Sequence, residues 1–152
     1  MITPSLLGPL DVLATEVVGG VIIIEFLLLG LVIVNLAARA VAHRGLVEQA
    51  RQEIEAESVS RNRFLEVTNV ALVLGAFYYL TVQVHGGVIF TTLVLGLILT
   101  DFFEFESRLV EIRTESPIEQ PKGAIVASFF VFAYIAYQSL FFIIEPLWSA
   151  IV

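Results

Sequence analysis

One acid in this chain stands alone in an apolar run. Glu25 sits inside IIIEFLLLG, with no other charged residue within eight positions on either side. An acidic side chain at the centre of a membrane helix costs about 2.5–3.5 kcal/mol, a cost that a partner, a bound proton or water must offset. Glu25 is therefore a candidate carboxylate for handling a proton or cation. Its plainer reading is a structural acid that makes one interhelical hydrogen bond or reaches up to the nearer surface. Counted inward from the same end, Tyr78 and Tyr79 lie at a comparable depth, as do Tyr134, Tyr137 and Gln138. Phenols and a primary amide suit a carboxyl group in an apolar setting.

A second polar layer is expected toward the opposite end, where Asn35, Arg39, Thr68, Asn69 and Asp101 fall at one depth. Buried Asn and Thr in spanning helices commonly hold helices together. Asp101 and Glu104 are three residues apart and share a helix face. Two carboxylates on one face could take a divalent cation through hard oxygen ligands; pairing with Arg39, Arg61, Arg63 or Arg108 is the favoured reading. No metal site or cofactor is expected. The two histidines, His43 and His85, belong to opposite ends and cannot jointly hold a haem or zinc within one chain. The cysteine count of zero excludes disulfides and thiolate metal centres, and no serine triad or phosphate-binding glycine loop is present. The chain reads as non-catalytic.

The elements that must carry these residues follow from composition. Apolar residues make up 58% of 152 positions and charged residues 15%, with a mean hydropathy of +0.92. Soluble domains run near 25% charged, so neither an ordinary soluble domain nor a disordered chain fits. Four spans of ~20 residues would use about 80 positions. They are read at 17–41, 64–84, 88–105 and 124–144, as a single transmembrane domain with polar loops at 42–63 and 106–122. Pro4, Gly8 and Pro9 punctuate the start, where a short interfacial helix is expected from about Pro9, broken at Gly19-Gly20. Helical spacing of Leu46, Ala50 and Ile54 extends the first span beyond Gly45, and Ser58, Ser60 and Asn62 supply turn and cap chemistry. His85-Gly86-Gly87 is expected as a tight outer turn, Phe102, Phe103 and Phe105 at headgroup level, Pro146 as the end of the fourth span and Trp148 as an interfacial anchor. The small residues Thr92, Gly96 and Thr100, and Ala71 with Gly75, recur every fourth position. They read as packing stripes within the second and third spans, or alternatively as a dimerisation face.

Charge placement predicts orientation. All eight Lys and Arg fall in or beside the two polar loops, at Arg39, Arg44, Arg51, Arg61, Arg63, Arg108, Arg113 and Lys122, and none in the start, outer turn or tail. The positive-inside rule then makes both loops cytoplasmic and both termini external. The fold class expected is an all-α integral membrane four-helix bundle, N-out and C-out, in the cell membrane. A signal peptide is not expected, because the first sixteen residues contain no Lys or Arg. The net charge of −7 with a single lysine points to a high-salt setting and leaves no basic face for nucleic acid.

The segments LVLGLILTDFFEFESRLVEIR and PKGAIVASFFVFAYIAYQSLFFII resemble a family of small four-span membrane proteins of halophilic archaea, classed as a domain of unknown function. The resemblance covers most of the chain and implies a haloarchaeal source. It brings no activity, ligand or site residues. The expected function is that of an accessory subunit or self-associating scaffold, partnered by the lipid bilayer and by further copies or a larger membrane complex. The alternative is a small proton- or cation-conducting protein built on Glu25.

Overall fold

The computed structural model describes residues 7–152; Pro4 lies outside them. A 3-10 turn, Gly8–Ala14, leads into a two-stranded antiparallel hairpin, β1 (Glu16–Val18) and β2 (Val21–Ile22). Four long helices follow: α1 (Ile23–Arg51), α2 (Arg63–Val82), α3 (Val84–Arg113) and α4 (Lys122–Ile151). All four are long and apolar enough to cross a membrane. At 1.5 Å per residue α2 is about 30 Å long and the others roughly 45 Å. Each helix packs on its neighbour in sequence and α4 closes against α1, so short connections alternate the helix directions around a ring. Leu28, Val32, Leu72, Phe90, Val94 and Val131 fill the centre and are fully buried.

One end of the ring collects the basic loops. Asn62 caps α2 there, its Oδ1 accepting from the Leu65 N–H at 3.0 Å, and α1 runs through Gly45 to Arg51 while α3 runs past Phe105 to Arg113. The other end carries the β-hairpin and the α2–α3 turn. We call these the basic end and the hairpin end.

Three expectations give way at the hairpin end. Residues 17–22 are strand and turn rather than the start of the first long helix. Two β-branched runs separated by Gly-Gly form a tight hairpin, and Gly19 and Gly20 both take positive φ, 58° and 81°. A Cβ on Gly19 would also lie 2.6 Å from that of Phe142, so the hairpin is seated on α4. The expected helix near Pro9 is a 3-10 turn, held to α2 by the Tyr78 hydroxyl donating to the Leu10 carbonyl at 2.6 Å. The α2–α3 turn is Gln83 alone, and His85-Gly86-Gly87 forms the first turn of α3. The glycines serve approach rather than turning: a Cβ on Gly87 would run into the Leu80 backbone, and one on Gly86 would lie 2.7 Å from the Tyr79 hydroxyl.

Pro146 does not end α4 either; the helix continues through it to Ile151. Proline removes one hydrogen-bond donor, but this stretch is exposed, and the Val152 N–H still closes on the Trp148 carbonyl at 3.1 Å.

Candidate functional site

At the basic end, one carboxylate gathers side chains from α1, α2 and the connection between them. Asn35 and Arg39, four apart on α1, present one face of that helix. Asn35 Nδ2 donates to Thr68 Oγ1 and to Asn69 Oδ1, both at 2.8 Å, while its Oδ1 accepts from Arg39 Nη2 at 3.1 Å. Arg39 Nη1 pairs with Asp101 Oδ1. The other carboxylate oxygen accepts from Arg61 Nη2 at 2.5 Å and from Asn69 Nδ2 at 3.2 Å. Arg61 also reaches Glu66 at 3.3 Å and lies 4.7 Å over the Phe105 ring. Asp101 and Arg39 are 8% and 3% exposed, so their charges must be satisfied by protein groups. The polar layer anticipated from depth is therefore one connected network.

Glu104 parts company with Asp101. It shares the α3 face, but its two oxygens accept the backbone N–H groups of Gly123 (2.6 Å) and Ala124 (3.0 Å), the open first turn of α4. Pro121, which precedes that helix, has no side chain able to cap it, and the acid on the neighbouring helix complements both the free donors and the helix dipole. Pairing of Glu104 with an arginine is thus replaced by a cap supplied from another helix. Among the described residues, no cluster of three His, Asp or Glu is placed to hold a metal.

At the hairpin end, Glu25 lies in the first turn of α1 rather than midway along it. Its Oε2 accepts the Ile22 backbone N–H at 2.9 Å, one half of a capping box, and its Oε1 accepts the Tyr79 hydroxyl at 2.6 Å. Of the partners anticipated by depth, Tyr79 alone bonds to Glu25. Gln138 instead donates to Tyr134 at 2.8 Å, and Tyr137 packs on Phe141 at the surface. Beside Glu25 is a cavity of about 210 Å³, whose polar lining includes Gln83, Gln138 and Glu145.

The small-residue stripes divide. Gly75 meets α1, where an added Cβ would lie 2.7 Å from Leu28 Cδ2; Ala71 one turn earlier is half-buried. Thr92 and Gly96 point out of the bundle, and Gly96 has nothing within 4 Å of an added Cβ. Thr100 is half-buried beside Gly123 of α4. Packing of the α2–α3 pair thus does not use the Thr92–Gly96 stripe. It uses the adjacent register, in which Thr91 Oγ1 donates to the Ala76 carbonyl at 3.0 Å. Spacing alone cannot tell two stripes one residue apart.

Two further residues belong to the basic end: His43, and Arg108 from among the anticipated arginine partners, line a cavity there with Arg39, Arg61, Asp101 and Glu104. Their four-residue relation to neighbours already singled out, Arg39 to His43 and Glu104 to Arg108, was the available signal.

No curated protein and no solved structure matches the chain. The family described as Domain of unknown function (DUF7313) matches residues 3–152, and the chain belongs to that family.

Proposed function

We propose that this is a non-catalytic multi-pass protein of the cell membrane that acts as a self-associating scaffold or accessory subunit, with its basic end cytoplasmic and both termini external. Large apolar side chains on every helix support insertion: Leu27, Leu74, Leu99, Phe103, Phe130 and Ile143 are all exposed while the polar network is buried. That is the reverse of a water-soluble bundle. The eight Lys and Arg at one end support the orientation, and the acidic, lysine-poor composition supports a high-salt habitat.

The observation that carries self-association is the outward face of α3. Thr92 and Gly96 leave a shallow strip that no helix of the same chain covers, and small residues four apart let a second helix approach closely. The occupant proposed is a second copy of this chain. Gly96→Leu should not lower the melting midpoint of the protomer, because an added Cβ meets nothing within it and leucine is the better helix former, while converting an oligomer in mild detergent to a monomer by native mass spectrometry. A wild-type chain that is strictly monomeric and partner-free would overturn the reading.

Conduction through Glu25 is disfavoured by the core. Glu25 and Asn35 are separated along α1 by about 15 Å, and the interior between them is occupied by Leu28, Val32, Leu72 and Val94, each at most 1% exposed. A single bundle thus has an apolar barrier between its two polar layers.

A further inference from the structure

We infer that the cavity at the basic end is a binding site for a phosphate group, filled in the membrane by the headgroup of an anionic lipid. The cavity has a volume of about 60 Å³, room for a small oxyanion or about two waters. Its charged lining is Arg39, Arg61, Arg108, Asp101 and Glu104, with His43 beside them. Three guanidinium groups and two carboxylates line it, and Arg61 and Arg108 also reach Glu66 and Glu111 outside the lining.

Neither carboxylate has much left to offer. Asp101 already accepts from Arg39, Arg61 and Asn69, and both oxygens of Glu104 are taken by the start of α4. Arg108 reaches Glu111 at 3.0 Å and the Gln120 carbonyl at 3.3 Å through its terminal nitrogens. The Nε atoms of Arg39 and Arg108 are both buried with no hydrogen-bond partner among the described residues, on residues only 3% and 9% exposed. An unpaired buried donor costs about 1–3 kcal/mol, more when charged. Two such donors, on guanidinium groups that line one cavity, call for an anionic acceptor there.

Backbone dipoles add to the same field. Asn62 and Pro121, the residues immediately before α2 and α4, both line the cavity, so the positive ends of two helices flank it. The opposing C-terminal ends of α1 and α3 at Arg51 and Arg113 lie at least one turn beyond its last lining residues on those helices, Leu46 and Arg108. Apolar walls from Leu46, Leu65 and Phe105 suit the glycerol and upper acyl region of a lipid. The lipid source rests on the membrane reading above; the phosphate chemistry rests on the cavity alone.

The test uses the full chain in a neutral maltoside detergent, with three probes: phosphatidylglycerol, phosphatidylcholine and inorganic phosphate. Phosphatidylglycerol should raise the melting midpoint and remain bound in native mass spectrometry, whereas the zwitterionic lipid should not. Arg108→Gln should weaken phosphatidylglycerol retention by about tenfold, one charge-assisted hydrogen bond's worth. Arg113→Gln, which removes a charge outside the cavity, should leave it intact. If R108Q does not fold, Arg108→Lys removes the Nε donor while keeping the charge, and weaker retention is again expected. Inorganic phosphate that binds and displaces the lipid without loss of the Arg108 dependence would assign the site to the free ion and remove the lipid source. Equal effects of both lipids, no effect of any probe, or R108Q matching R113Q would overturn the site. A chain that is soluble without detergent yet binds phosphate through Arg108 would sink the membrane reading and keep the site.

Discussion

The bundle buries polar side chains at both ends, and the two ends do so differently. At the hairpin end Glu25 is satisfied by a phenol and by the backbone of its own helix start. At the basic end Asp101 is satisfied by two guanidinium groups and an amide brought from other elements. The first arrangement is local and has few members. The second joins α1, α2 and α3, and each member's satisfaction depends on the others. A buried ion pair is weak evidence of stability but is costly to break, because the surviving charge is left without a partner. The basic end should therefore be the more brittle of the two, and its network the stronger constraint on how the helices register against one another.

Asp101→Asn gives the largest expected effect. The new amide places a donor among three donors, with Arg39 buried and unable to turn to water, and the expected loss is about 3–5 kcal/mol of unfolding free energy in detergent. Replacing the buried pair together, Asp101→Leu with Arg39→Met, should recover only part of that loss: Arg61 is partly exposed and retains Glu66, but Asn69 Nδ2 and Asn35 Oδ1 lose their partners. An Asp101→Asn variant as stable as the parent would remove the contrast between the ends.

The same contrast explains what could be read before the fold was known. Asn35, Arg39, Thr68, Asn69 and Asp101 were legible as one layer because polar residues are rare in these helices and depth follows from a fixed rise per residue. Rotation about the helix axis was not legible. Thr91 and Thr92 are equally plausible members of a small-residue stripe, and only the neighbouring helices decide that Thr91 faces α2 and Thr92 faces outward. Nor could spacing give the choice made by Glu104, whose partners are backbone donors nineteen and twenty residues away, in the open first turn of α4. The stretch 17–22 was misread for a further reason: apolar β-branched residues satisfy strand and helix patterns alike over so short a run.

Glu25→Gln gives an intermediate effect. The amide oxygen can keep one of the two donors, Tyr79 or Ile22, while its NH₂ faces the other, so one buried donor is lost at a cost of about 1–3 kcal/mol. Thermal unfolding of Glu25→Gln beside Tyr79→Phe checks this. If the pair is as local as its geometry indicates, the double variant should lose little more than the worse single one. A loss equal to that of Asp101→Asn would mean that Glu25 supports more than its own helix start.

The smallest effect belongs to an ion pair outside both layers. Glu57, in the 3-10 turn Ala56–Ser58, accepts from Arg113 Nε at 3.2 Å, and both side chains are at least half exposed. Its own backbone N–H and then the Arg113 guanidinium hold its carboxyl below the usual value of 4.5. A carboxyl group depressed on folding contributes stability that is present above its unfolded value and disappears as pH falls through the lower, folded one. Solvent screening keeps that contribution small. Glu57→Gln should therefore leave the midpoint at neutral pH unchanged within error and slightly flatten its decline below pH 4.5. A shift at neutral pH comparable to that of Glu25→Gln would show that the loops at the basic end, and not only the buried network beneath them, hold the helices in place.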